Sequence, residues 1–302
     1  MTATPVSRHI TRPLDAVAAA VVVMLCLSWG FNQVSVKLAL HDVPPLTQAA
    51  IRSFVAALLV AGWAKARGLP LLARDGTLGA GLLTGLAFGV EFILIYQGLA
   101  YTTATRAVLF LYLAPFFVVI GARLFLPADR FGPAQWLGLA LSFAGMLVAF
   151  GLPTPALDPR QTIGDLMVVG GALMWAVTTL MIKVTSLNRV SAEKVMLYQL
   201  VVSAPMMAVA AYFAGERVAH MPSALALGSL AYQTVWVVSI TFVIWFALVM
   251  RYSASRLSAF TFLTPLFGVA AGHLVLNEPL TPAFAGAVAL VAGGLALVNR
   301  AP

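Results

Sequence analysis

One acid stands near the middle of a long apolar run, and it is the residue most able to do chemistry. Glu91 has Phe88, Phe92 and Ile95 on its side of a helix and Tyr96 further round. An ionised acid at the centre of a membrane span costs roughly 2.5–3.5 kcal/mol, so such a residue is by default functional. It could bind a proton or face a cationic amine; the alternative is a protonated acid hydrogen-bonded to a neighbouring helix. A second set is polar and aromatic. Trp29 is followed three and four residues later by Asn32 and Gln33, and Trp175 by Thr178 and Thr179, which puts each set on one helical face. Gln233, Trp236 and Ser239 or Thr241 lie at the depth of Glu91 in a later run. Such groups can line a cavity, with rings that hold a cationic or π-bearing solute, or they can join helices by packing and hydrogen bonds. Arg52, near the start of its run, reads as structural, its side chain snorkelling to the surface.

The elements that position these residues must be membrane helices. Charged residues are 9% of the 302-residue chain and apolar ones 61%, against roughly 25% charged in soluble domains. The apolar runs do not alternate as barrel strands do, and helices satisfy the backbone in hydrocarbon. At about 20 residues per span, ten helices are expected, near 16–37, 46–64, 77–98, 104–126, 132–151, 164–186, 195–214, 223–250, 255–276 and 281–298. The fold class is therefore all-α and integral to the membrane. The basic N-terminal segment before the first run resembles a signal peptide, but the run is too long for one and reads as a retained helix. A single cysteine, Cys26, says nothing of redox compartment.

The net charge of +8 does not form a nucleic-acid patch. With the N-terminus in the cytoplasm, Arg8, Arg12, Lys65, Arg67, Arg74, Arg123, Arg130, Lys183, Arg189, Lys194, Arg251, Arg256 and Arg300 fall inside. Only Lys37, Arg52, Arg106, Arg160 and Arg217 fall outside or within spans. The positive-inside rule thus places both termini in the cytoplasm, as expected for a multi-pass protein of a bacterial-type inner membrane.

The chain is also written twice. Thr103-Ala104-Thr105-Arg106 opens a run with Pro115 nine residues after the arginine, and Ser253-Ala254-Ser255-Arg256 opens another with Pro265 nine residues on. Gly138 and Gly145 are matched by Gly286 and Gly293, and Trp29 and Lys37 by Trp175 and Lys183. Two five-helix repeats follow, residues 1–151 and 164–302, joined by a linker at 152–163 rich in proline, Pro155 among them. Five is odd, so the second copy enters the bilayer from the other side. Inverted repeats around a midplane site suit alternating access, with Pro115 and Pro265 as hinges because proline removes a backbone bond. Gly81, Gly85 and Gly89 invite close approach of another helix, as do Gly268 and Gly272. His273 near a span end reads as structural.

Trp29-Gly30-x-Asn32 with Lys37, Arg52, the two prolines, Glu278-Pro279-Leu280-Thr281 and the paired glycines together carry a resemblance. The chain resembles the drug/metabolite transporter superfamily in its ten-helix EamA branch, and is similar to amino-acid and metabolite exporters of the YddG type. The resemblance implies a central cavity lined by the first, third, fourth, sixth, eighth and ninth spans, with the fifth and tenth outside. It also implies export of small metabolites, amino acids including aromatic ones foremost. The first copy departs from the pattern, with Ala128-Asp129-Arg130-Phe131 in place of Glu-x-x-Thr.

The competing reading is a membrane-embedded enzyme acting on a lipid or prenyl substrate. Its metal chemistry would need clustered acids or histidines, whereas the ten acids are dispersed and the four histidines unpaired. No phosphate-binding Gly-x-x-x-x-Gly-Lys motif exists. The expected partners are a small-molecule substrate and the lipid bilayer, with no nucleic acid, ATPase subunit, cofactor or metal.

Overall fold

The computed structural model describes residues 14–153 and 158–300; Arg8, Arg12 and Pro155 lie outside the described residues. The helices are α1 (Ala16–Ala39), α2 (Pro45–Ala66), α3 (Leu78–Leu99), α4 (Ala104–Phe125), α5 (Pro133–Phe150), α6 (Pro159–Val184), α7 (Ala192–Phe213), α8 (Ala224–Arg251) and α9 (Ala254–Leu276), all long and apolar enough to cross a bilayer. A tenth, α10 (Ala283–Val298), is apolar but only 16 residues long. Among the described residues there is no strand. Large apolar side chains such as Leu58, Trp63, Leu83, Phe125, Leu137, Leu166 and Val201 are exposed on the outside of the bundle. In a soluble protein such a surface would aggregate; here hydrocarbon is its solvent.

Short polar side chains set the starts. Asp15, Thr103, Asp158, Ser191, Ser223 and Ser253 each accept a hydrogen bond from a backbone N–H in the first turn of the helix they precede, which satisfies donors that the helix cannot. The repeated Thr/Ser-Ala-Thr/Ser-Arg sequence is such a start. Thr103 Oγ1 accepts from Arg106 N and Ser253 Oγ from Arg256 N. The expected start of the sixth span at 164 is corrected to Pro159. Pro159 belongs to the first turn, where a missing N–H costs nothing, rather than to the linker.

Two helices are interrupted. α4 is broken at 112–113 and α9 at 261–262, in each case just before a resumed first turn that holds Pro115 or Pro265. α8 changes to π-helical bonding over Tyr232–Thr241, a wider turn frequent at functional sites.

Contacts between connections sort the bundle into two ends. At one, Arg67 pairs with Glu193 (2.8 Å), Lys194 with Asp75 (2.8 Å), and the Tyr252 hydroxyl donates to Asp15. There the Lys194 ammonium, helped by the Thr77 hydroxyl, holds the Asp75 carboxyl down at about 2. At the other end Glu216 accepts from Leu46 N and Thr47, Asp42 from Ser223, and Lys37 pairs with Glu278 (2.7 Å). α1 starts at the first end and α6 at the second.

Glycines carry the tightest crossings. α3 meets α7 through Gly81, Gly85 and Gly89, against Tyr198, Val202 and Met206. α5 and α10 pack chiefly on each other. A Cβ on Gly138 would lie 2.5 Å from the Gly294 carbonyl oxygen, and Gly145 meets Val291. Gly286 and Gly293, matched to them by sequence, have nothing closer than 4.0 and 3.7 Å. The contact in α10 is thus made by Gly294, one position along, because that face turns toward α5. Gly138→Ala is expected to lower the melting temperature in detergent by about 2–6 °C, from an overpacking cost of roughly 1–2 kcal/mol. Gly293→Ala should leave it within about a degree. Equal shifts in a thermal size-exclusion assay would refute this packing assignment.

Candidate functional site

α1, α3, α6 and α8 meet in a chain of rings. Tyr96 lies 6.1 Å from Phe92, Phe92 4.9 Å from Phe88, and Phe88 6.1 Å from Phe242. Phe242 is 5.5 Å from Trp29, Trp29 5.4 Å from Trp245, and Trp245 5.8 Å from Trp175. Five residues named from sequence, Trp29, Phe88, Phe92, Tyr96 and Trp175, are therefore brought together. The rings that link them, Phe242 and Trp245, were not. Their signal was the spacing of three residues that puts both on one face of α8.

The polar groups divide into bonded and unbonded. Trp29 Nε1 donates to Thr241 Oγ1 (2.9 Å), Trp236 Nε1 to Ser28 Oγ (3.0 Å), and Gln233 Nε2 to Gln48 Oε1 (3.1 Å). These bonds hold α8 to α1 and α2, and they are the interhelical use left open by the sequence. Thr178 Oγ1 donates to the Trp175 carbonyl (2.8 Å) and Ser239 Oγ to the Thr234 carbonyl (2.7 Å), so both hydroxyls serve their own helix. Thr179 is buried.

Four groups nearby are buried with no hydrogen-bond partner: Asn32 Oδ1, Gln233 Oε1, Arg52 Nε and Glu91 Oε2. Glu91 and Arg52 are each only 4% exposed. The expectation that Arg52 snorkels to the surface is wrong. Its guanidinium lies over the Phe92 ring, Cζ 4.7 Å from the centroid, because Arg52 is two turns into α2 and its face of that helix turns to α3 rather than to the headgroups.

A second arrangement lies at the bundle end that holds the α4–α5 connection. Asp129, 4% exposed, accepts from Ser253 Oγ (2.5 Å), Ala254 N (2.8 Å) and Ser255 N (3.3 Å), so it caps α9 from the other half of the chain. Its carboxylate also lies within electrostatic reach of Lys183. The departure from Glu-x-x-Thr thus has a structural role. At the opposite end the matching residues Thr103, Ala104 and Thr105 are exposed, and Arg106 turns inward to a bidentate pair with Asp165 (2.5 Å). Among the described residues no group of three His, Cys, Asp or Glu could hold a metal.

The fold and these residues can be set beside known proteins. A solved structure at 21% identity superposes with a TM-score of 0.80 over 94% of this chain and 96% of its own. A Bacillus subtilis protein named uncharacterized transporter YvbV is 28% identical over 289 residues, 93% of this chain and 91% of its own. An Escherichia coli protein named probable amino-acid metabolite efflux pump is 28% identical over 291 residues, 92% of this chain and 93% of its own. A riboflavin transporter of Rhizobium johnstonii is 34% identical over 137 residues, 42% of this chain and 41% of its own. Residues 16–151 and 162–300 each match the EamA-like transporter family, nearly the whole multi-pass chain in two stretches, and the protein therefore belongs to that family.

Proposed function

We propose that this membrane transporter exports small amino-acid-like metabolites, aromatic ones included, through a central cavity exposed alternately to the two sides. The observation that carries the reading is Glu91, an acid in a membrane helix, buried beside the aromatic chain, whose Oε2 has no partner in the protein. A group so costly in hydrocarbon is explained by a cationic group that arrives with the substrate. Trp29, Asn32, Phe88, Phe92, Tyr96, Trp175 and Trp236 are read as the remaining walls, with Thr178, Thr179, Gln233 and Ser239 behind them. The name of the Escherichia coli relative supports the substrate class, and that of the Rhizobium johnstonii relative accords with a ring-bearing solute.

The two family matches support two related halves, and α1 and α6 starting at opposite ends supports their inversion. Contacts across the halves also exchange: α1 packs on α8 and α9, and α6 on α3 and α4. The end at which Lys65, Arg67, Arg123, Arg130, Lys183, Arg189, Lys194, Arg251 and Arg300 gather is read as cytoplasmic, in the inner membrane of a bacterium. There Asp129 closes on α9, while Thr103–Thr105 stand open at the other end. Exchange of the two halves' conformations would exchange the open face.

Purified protein in liposomes is expected to move L-phenylalanine or another amino acid down its gradient at least tenfold faster than protein-free vesicles. No flux above that background for any amino acid, with correctly inserted protein, would refute the reading.

A further inference from the structure

Arg52 and Glu91 are an opposite-charge pair that the protein leaves open. Both are 4% exposed, and both carry an atom with no hydrogen-bond partner. Yet no ion pair within 4.0 Å joins them; the four ion pairs among the described residues are elsewhere. Glu91 and Phe92 are consecutive on α3, and the guanidinium lies on the Phe92 ring. The guanidinium is thus held on the residue next to Glu91 along that helix. A buried charge without its partner is strongly destabilising. Buried polar groups are almost always satisfied, and exceptions need a reason.

We infer that Arg52 and Glu91 together form a subsite for a zwitterionic head group, Arg52 donating to the carboxylate and Glu91 accepting from the ammonium. In an α-amino acid both groups are bonded to one carbon. They carry opposite charges, so recognising both takes a cationic donor and an anionic acceptor close to each other. The planar guanidinium suits a carboxylate, which it can bind with two parallel hydrogen bonds. Stacking on Phe92 fixes its plane in advance, so that less rotamer freedom is lost when the ligand arrives. The inference rests on the proposed amino-acid reading, and it turns Arg52 from a structural residue into the one that separates amino acids from plain amines.

The test is calorimetric titration of purified protein with L-phenylalanine, phenethylamine, which lacks the carboxylate, and 3-phenylpropionate, which lacks the amine. Wild-type protein is expected to bind L-phenylalanine at least tenfold more tightly than either analogue. In Arg52→Gln, affinity for L-phenylalanine should fall about 10- to 30-fold while that for phenethylamine changes less than threefold. Arg52→Lys, which keeps the charge but not the fork, should restore part of the preference and serves as the folding control. An unchanged preference in Arg52→Gln, equal loss for all three probes, or no binding of L-phenylalanine by wild type would overturn the subsite. Discriminating binding without liposome flux would instead leave the subsite standing and refute the transport reading.

Discussion

Replacing Asp129 by alanine is expected to open the end of the bundle that this residue closes. The carboxylate accepts three hydrogen bonds from α9, one from the Ser253 hydroxyl and two from backbone N–H groups. Ser253, Ala254 and Ser255 are all buried there. Losing a helix cap costs about 0.5–2 kcal/mol, and leaving buried donors without an acceptor about 1–3 kcal/mol. The contact joins the two halves, so under the proposed alternating access, in which it would form only while that end is shut, a cost of about 1.5–3 kcal/mol is expected mainly as a shift between conformations. At about 1.4 kcal/mol per factor of ten, the open form should gain roughly 10- to 100-fold. Val118, fully buried where the second part of α4 meets Ala254, reports on this. In a Cys26→Ser background, Val118→Cys should be shielded from a membrane-impermeant maleimide, and at least tenfold faster to label once Asp129→Ala is added. An unchanged labelling rate in protein of unchanged melting temperature would refute the latch.

What the sequence discloses here is whatever depends on one helix at a time. Ten apolar runs follow from composition, and the starts at Thr103 and Ser253 are local capping. Glu91 is conspicuous because its neighbours along the chain are apolar. What depends on how two helices face each other is not disclosed. Arg52 reads as a snorkelling residue because its depth in α2 is legible, whereas the direction of its face is set by packing against α3. Gly293 is the repeat partner of Gly145, yet Gly294 makes the contact, since a rotation of α10 by one residue leaves the repeat pattern intact. The π-helical stretch of α8 is not disclosed either: six of its ten residues are β-branched, which lowers helix propensity without specifying a wider bonding register. Asp129 looks like a lost motif until α9 of the other half is placed beside it.

Glu91→Gln is the second substitution expected to act strongly, and on the substrate rather than the fold. Oε2 has no protein partner to lose, and the neutral amide has nearly the same shape. Arg52 keeps its contact with the Phe92 ring. The melting temperature should therefore not fall, and should rise by about 5–10 °C if the desolvation of an ionised acid, roughly 2.5–3.5 kcal/mol on the insertion scale, is relieved. Substrate binding should respond in the opposite sense. A hydrogen bond between charged groups contributes about 1.5–3 kcal/mol, so the apparent affinity for an amine-bearing solute should fall roughly 10- to 100-fold. That for a carboxylate lacking the amine should be unchanged or improved, because the repelling charge is gone. A residue that merely joined helices would give the reverse pattern: lower stability, and equal effects on every solute. Flux in liposomes with phenethylamine and 3-phenylpropionate, measured beside the melting curves, distinguishes the two. Loss of stability without a change in the ratio of the two fluxes would remove Glu91 from the substrate path.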